Sequence, residues 1–261
     1  MPSETDPCVD TLAGYLKHAH RVLIFTGAGV STGSGIPDYR GPQGVWKTRT
    51  PVYYQDFMSS QSARQRHWSM RTESWEMFGT AKPNAVHHAV RRLELADKIE
   101  GVVTQNVDGL HAAAGTSPER LVEIHGTTQK VECQSCGWLD DVNPHIEYFR
   151  KHQQPPHCEC GGYLKTATIS FGQSLKDEEV ARAEHAATHC DLVIALGSTL
   201  SVRPANLIPL MAAQRGVPYI IVNRGDTDHD GESFVSLRLE GDVVEIFPEA
   251  VDEVLPRIAH R

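Results

Sequence analysis

Short apolar runs of β type alternate with stretches of helical period along most of this chain, and that alternation restricts the fold more than any other feature. Val9, Leu12 and Leu16, with Ala13 and Ala19 beside them, recur at helical spacing and lead into Arg21-Val-Leu-Ile-Phe25, which reads as a buried strand. Pro83 suits a first helical turn, and Val86, Ala89, Val90 and Leu93 form one apolar face ahead of a strand at Gly101-Val-Val-Thr104. A further strand is expected at 120–124. Past residue 165 the pattern resumes, with strands at 167–170, 192–196 and 219–223 and helices near 177–189 and 204–215. Such a chain buries a parallel sheet between helices, so the expected fold is α/β, a Rossmann-like doubly wound parallel sheet.

Two stretches break the alternation. Between Arg40 and Lys82 there are three tryptophans, Trp46, Trp68 and Trp75, with polar runs and no clear strand, so a helical insertion is expected over 41–80. Residues 128–165 hold four of the six cysteines as two close pairs and read as a separate module. The expected organisation is a large domain of residues 1–40, 81–127 and 166–261, with 41–80 and 128–165 forming a smaller lobe.

Composition narrows the function classes. With 261 residues the chain can bury a core without disulfides, and 40% hydrophobic residues fit a globular protein. Twenty-five Lys+Arg against 33 Asp+Glu leave a formal charge of −8, which offers no electrostatic footprint for direct nucleic-acid binding. No apolar run approaches the ~20 residues of a spanning helix, so no membrane partner is expected. The first fifteen residues lack the basic start and apolar stretch of a secretory signal, and a cytoplasmic, reducing location is expected. Paired cysteines there bind metal.

Gly27-Ala-Gly29, directly after a strand, is half of a dinucleotide fingerprint, because Thr32 stands where the third glycine belongs. No acidic residue ends a prompt second strand, so a dehydrogenase is a poor reading. The alternative is a ligand-free turn, but Ser31, Ser34, Asp38 and Arg40 crowd polar groups behind the glycines. Cys133-Gln-Ser-Cys136 has the spacing at which two thiolates meet one tetrahedral Zn²⁺. The second pair, Cys158 and Cys160, is separated by a single residue, and 21 residues, 137–157, lie between the pairs. Cys133, Cys136, Cys158 and Cys160 are the expected ligands; the alternative puts His157 in place of Cys158. A closed four-ligand site would be structural.

The longer string GAGVSTGSGIPDYR, from Gly27 to Arg40, resembles the signature of the sirtuins, the NAD-dependent protein deacylases, with Tyr39 where most members have Phe. Matching blocks follow in order: Thr104-Gln-Asn-Val-Asp-Gly-Leu-His111, Glu123-Ile-His-Gly126, the cysteine pairs, Phe171-Gly-Gln173, Gly197-Ser-Thr199 and Val222-Asn223. The string from Asp38 to Trp46 is most similar to the class IV branch. Two departures stand out: Gln173 replaces a common Glu, and Ser198-Thr199 reverses the usual order.

The resemblance implies that the large domain binds NAD, with Gly27, Ala28, Gly29, Ser31, Asp38, Tyr39, Arg40, Gln105, Asn106, Asp108, Gly197, Ser198, Thr199, Asn223 and Asp242 contacting it. It implies catalytic roles for Asn106 and Asp108 and a base role for His125, an imidazole being suited to take a proton from a ribose hydroxyl. His111, in a matched block, is expected to be structural. An acyl-lysine protein or peptide would add as a strand along Ile169, Phe171 and Gly172 on one side and Ser201 and Val202 on the other. The implied activity is lysine deacetylation, with the acyl group passed to ADP-ribose and nicotinamide released. An acidic-acyl deacylase is one alternative: the family's specialist form is Tyr-x-x-Arg, and Trp68-Ser-Met-Arg71 is the nearest match here. ADP-ribosyl transfer to protein and a non-catalytic, zinc-stabilised NAD- or peptide-binding module are the others.

Overall fold

The computed structural model describes residues 7–39, 44 and 49–255. Helix α1 (Pro7–His18) lays Val9, Leu12, Ala13 and Leu16 against the sheet beside β1 (Val22–Thr26), whose five residues are all buried. A short 3-10 helix (Ala28–Ser34) follows; its run of small residues, three of them in Gly29, Gly33 and the left-handed cap Gly35, is poor α-helix material. The helical insertion contributes α2 (Tyr54–Ser59) and α3 (Gln61–Thr80). Then come α4 (Ala85–Leu95), β2 (Ile99–Thr104), α5 (Leu110–Ala113) and β3 (Leu121–Glu123). The cysteine-bearing stretch holds β4 (Gly126–Cys133), β5 (Leu139–Asp141), α6 (Asn143–His152) and β6 (Leu164–Thr168). The chain continues through α7 (Asp177–His189), β7 (Leu192–Leu196), α8 (Leu207–Ala213), β8 (Tyr219–Asn223), β9 (Leu237–Glu240) and α9 (Val243–Val254).

Six strands form a parallel sheet in the order β3-β2-β1-β7-β8-β9. Successive residues of β1 face opposite sides of it. Val22 and Ile24 join the core under α1, α4 and α9, while Leu23 and Phe25 join the one under α7 and α8. From β1 the chain builds outward through β2 and β3, and later outward on the other side through β7, β8 and β9. Between β1 and β7 the strand order therefore reverses, and the crevice at their carboxyl ends is where a sheet of this type receives a ligand.

Several elements depart from the sequence reading. The strand expected at 167–170 forms earlier, as β6 over 164–168, and pairs antiparallel with β4 in a separate sheet, β5-β4-β6, instead of joining the parallel one. All five residues of β6 are buried, and an unbroken buried run looks the same whichever sheet receives it. Helix α4 begins at Ala85, two residues after Pro83, because the Asn84 side chain accepts from the Val86 amide at 3.0 Å and caps it. Strand β9 and helix α9 carry weak local signals: only Leu239 of β9 is buried, and Pro248 lies inside α9. On the small sheet, Trp68 of α3 packs with Val131, Val142, Ile146, Phe149 and Leu164, and its indole donates to the Leu164 carbonyl at 3.0 Å.

Candidate active site

Gly27 and Gly29 bring the segment after β1 hard against the end of β7. A Cβ on Gly27 would lie 2.6 Å from the Gly197 carbonyl oxygen, and one on Gly29 would lie 2.8 Å from Gly197 Cα. Glycine at both positions is thus demanded by packing across the switch point, and the Gly29 amide donates to the Gly197 carbonyl at 2.8 Å. This closeness carries Ser31 over the end of β2. Its hydroxyl donates to Asp108 Oδ2 at 2.7 Å, and Asn106 Nδ2 donates to Ser31 Oγ and to the Gly27 carbonyl, both at 3.0 Å. Gln105 Nε2 reaches Ser198 Oγ at 2.8 Å. Ser31, Gln105, Asn106, Asp108 and Ser198 therefore meet at one place.

Asp108 is 6% exposed, and burial raises its carboxyl pKa above the ordinary value, opposed by the Leu110 amide and the Ser31 hydroxyl that bond to it. His125 follows β3 with Nδ1 at 3.1 Å from the Gln105 carbonyl. A carbonyl only accepts, so Nδ1 carries the proton and the ring's lone pair is on Nε2. Two residues before it, burial and the nearby Asp108 and Glu179 carboxylates push Glu123 up to about 7.

The other expected cofactor residues line neighbouring strand ends. Thr199 and Ser201 share a hydroxyl hydrogen bond at 2.9 Å. Asn223 ends β8 and donates to the Gly225 carbonyl at 2.9 Å, while Asp242 caps α9 by accepting from the Val244 amide at 2.9 Å. Tyr39 lies within electrostatic reach of both Arg71 and Asp108, and burial raises its phenol. Asp38 is half-buried next to it. Arg40, and most of the string to Trp46 that carries the class IV likeness, lie outside the described residues. Hydroxyl, amide and carboxylate groups converging at a switch point suit a dinucleotide with a carboxamide head.

The second cluster is made of sulfur. Cys133 ends β4, Cys136 lies in the turn after it, and Cys158 and Cys160 lie in the loop before β6. All four Sγ atoms fall within 4.8 Å of one another, with Cys133 and Cys160 at 3.5 Å and Cys136 and Cys158 at 3.8 Å. Zinc–thiolate bonds of about 2.3 Å give a tetrahedron with edges of roughly 3.8 Å, so the cluster fits one Zn²⁺. The single-residue spacing of the second pair is thus no obstacle. His157 forms an isolated bridge with Tyr163, ring centroids 5.5 Å apart, and is not one of the clustered ligands.

Residues 27–204 match the model of the Sir2 family. The chain belongs to the Sir2 family. It is 40% identical over 223 residues to a protein of Rhodopseudomonas palustris named NAD-dependent protein deacetylase, covering 85% of this sirtuin and 88% of that relative. The protein of the same name from Haloarcula marismortui is 36% identical, with 94% of each chain covered. Among solved structures, a Sir2 enzyme superimposes with a TM-score of 0.84 at 33% identity, covering 96% of this chain and 98% of its own. A Sir2 complex with a p53 peptide and NAD⁺ does so with a TM-score of 0.82 at 31% identity, covering 94% and 97%.

In this sirtuin the segment after β6 runs beside the histidine, since the Ile169 amide donates to the His125 carbonyl at 2.7 Å. Phe171 and Gly172 face α2: their carbonyls accept from the Tyr54 amide at 2.9 Å and from Gln55 Nε2 at 3.1 Å. The Val202 carbonyl accepts from the Asn206 amide at 3.0 Å. Sequence reasoning missed two buried groups of polar residues. One is Thr26 and Thr104, 0% and 3% exposed, which face each other at the ends of β1 and β2; a hydroxyl closing each apolar run was the available signal. The other is His67 and Lys165, between α3 and β6, which lie beside Arg71, a residue the sequence did single out. Arg71 donates to Thr168 Oγ1 at 3.3 Å, His67 Nε2 lies 3.3 Å from Thr166 Oγ1, and burial drives the Lys165 amine down to about 7.

Proposed function

We infer that this sirtuin is an NAD-dependent protein-lysine deacetylase, passing the acetyl group of an acetyl-lysine side chain to ADP-ribose. The observation that carries the reading is the hydrogen bond from His125 Nδ1 to the Gln105 carbonyl, which leaves the basic lone pair on Nε2 beside the Asn106–Asp108 segment. The names of the curated relatives support it, as does a neighbouring Sir2 structure holding a deacetylated p53 peptide and 3'-O-acetyl ADP ribose, with a TM-score of 0.83 at 31% identity. Bound NAD supplies an electrophilic ribose carbon, the acyl-accepting ADP-ribose and the nicotinamide leaving group.

The chain's own residues do the rest. His125 takes a proton from a ribose hydroxyl through Nε2, help that is worth roughly 10²–10⁴-fold. Asp108 receives the carboxamide N–H groups, and Ser31 keeps its carboxylate ionised. Asn106 orders the ribose side of the crevice. Gly27, Ala28 and Gly29 present backbone to the cofactor, Tyr39 covers it from water, and Gly197, Ser198, Thr199, Asn223 and Asp242 are further contacts for it. Main-chain hydrogen bonds along Ile169, Phe171, Gly172, Ser201 and Val202 hold the peptide with little demand on its sequence. The four cysteines hold a structural zinc in the lobe formed by residues 41–80 and 128–165, and thiolate ligands agree with a reducing, cytoplasmic location. The test is nicotinamide release from NAD with and without an acetyl-lysine peptide. Wild type should turn over only with peptide, and His125→Ala should lose at least about 10²-fold in kcat while still binding NAD. Peptide-independent release, or turnover retained by His125→Ala, overturns the reading.

A second reading has its own support: an acyl group bearing a carboxylate. Arg71 makes no ion pair with a carboxylate among the described residues, and burial lowers its pKa. Trp68, at the tyrosine position of the specialist form, is fully buried in the small sheet's core, whereas Tyr39 lies within electrostatic reach of Arg71. Side-by-side assays with acetyl- and succinyl-lysine peptides distinguish the two. Arg71→Met should depress only succinyl turnover if this reading holds.

A further inference from the structure

Behind the crevice lies a line of buried polar groups that none of the roles above requires. Thr26 and Thr104 are partners in the β1–β2 register, and the Thr26 hydroxyl donates to Thr104 Oγ1 at 2.8 Å. Thr26 Oγ1 also lies 3.2 Å from Nε2 of His111, on α5, a residue 85 positions away in the chain and 2% exposed. Since the Thr26 proton is already given to Thr104, His111 Nε2 must be the donor in that contact. His87 packs against His111 with ring centroids 4.8 Å apart and the rings tilted by 58°, and burial holds both imidazoles neutral. The direction of the hydrogen bonds is therefore set: His111 to Thr26, Thr26 to Thr104.

The line ends on one peptide group. Thr104 Oγ1 accepts from the Asn106 amide at 3.0 Å. That N–H and the Gln105 carbonyl belong to the same planar unit, and the Gln105 carbonyl is the acceptor that sets the His125 tautomer. Orienting the N–H orients the C=O, because the peptide plane does not twist cheaply. We propose that His111 is a positioning residue for His125, acting through Thr26, Thr104 and the peptide plane between Gln105 and Asn106.

The inference rests on His125 being the base, but its test does not need turnover. In ¹⁵N-labelled protein without NAD, long-range imidazole spectra read the His125 tautomer, and hydrogen exchange reads the Asn106 amide. Thr26→Val keeps the shape of the side chain and breaks the line, and Thr26→Ser keeps the hydroxyl; His111→Phe removes the donor. In Thr26→Val and His111→Phe the His125 spectrum should move from a single Nδ1–H tautomer to a mixture, and the Asn106 amide should exchange about tenfold faster. Their kcat should fall on the order of 10–100-fold at unchanged peptide KM, and Thr26→Ser should restore both signals. Absence of wild-type turnover together with these shifts in the variants would defeat the deacetylase reading and leave the positioning one standing. Should His111→Phe not fold, Thr26→Val decides. An unchanged His125 tautomer in a folded Thr26→Val protein, or a lower Tm with normal kcat, overturns the proposal.

Discussion

For the role proposed for it, Asp108 must stay ionised in a place that favours the neutral acid. Burial is the larger influence on its carboxyl, and the Leu110 amide and Ser31 hydroxyl work against it. Removing one of them should let burial win over a wider pH range. Ser31→Ala is therefore expected to raise the Asp108 pKa, shift the acid limb of the kcat/KM profile to higher pH and lower turnover about tenfold at neutral pH. A pH–rate profile matching wild type would deny Asp108 its carboxylate role. The blocks that hold Asn106, Asp108 and His125 were legible in the sequence because they are short and follow a characteristic order. Thr26, Thr104 and the neutral histidine pair were not: each is an ordinary residue alone, and its meaning comes from what the others place against it.

At the level of elements, the 3-10 segment and the sulfur cluster invite the sharpest tests. Gly27→Ala puts a methyl 2.6 Å from the backbone oxygen of Gly197, just past β7, where no flexible side chain can yield. A loss of about 1–3 kcal/mol in urea-unfolding free energy and weaker NAD binding are expected together, since the crevice edge must move. For the small sheet, a strong chelator is expected to release Cys133 from Cys160 and Cys136 from Cys158 and to loosen the core around Trp68. Tryptophan emission should shift red while far-ultraviolet circular dichroism of the parallel sheet persists, and an unmoved spectrum after zinc removal would count against a structural metal. The cysteine spacing announced this module, yet nothing in β6 itself says which sheet it joins. Its partner β4 lies beyond a 30-residue excursion that only folding closes.

For the molecule as a whole, acid sensitivity follows from two histidines that cannot charge where they are. His87 is held down at about 4 by burial and by His88, and His111 at about 3 by burial and by His87, against an ordinary value of 6.5. Below pH 6.5 the unfolded chain takes protons that the folded one refuses. Stability is thus fully present above about pH 6.5 and declines as pH falls toward 4 and then 3, by up to about 1.4 kcal/mol per pH unit for each histidine. Urea titrations at pH 7, 6 and 5 should show falling midpoints, with a shallower fall for His111→Phe; midpoints flat with pH would contradict the buried, neutral pair. Most strands of the parallel sheet, the helices beside them and the ordered blocks were readable in the amino-acid string, because periodicity and short motifs are local properties. The reversal of strand order between β1 and β7, the sheet that β6 joins, and the tautomer of His125 emerge only on folding. Each depends on groups brought together from distant parts of the chain, and hydrogen-bond direction has no trace in residue order until its partners are in place.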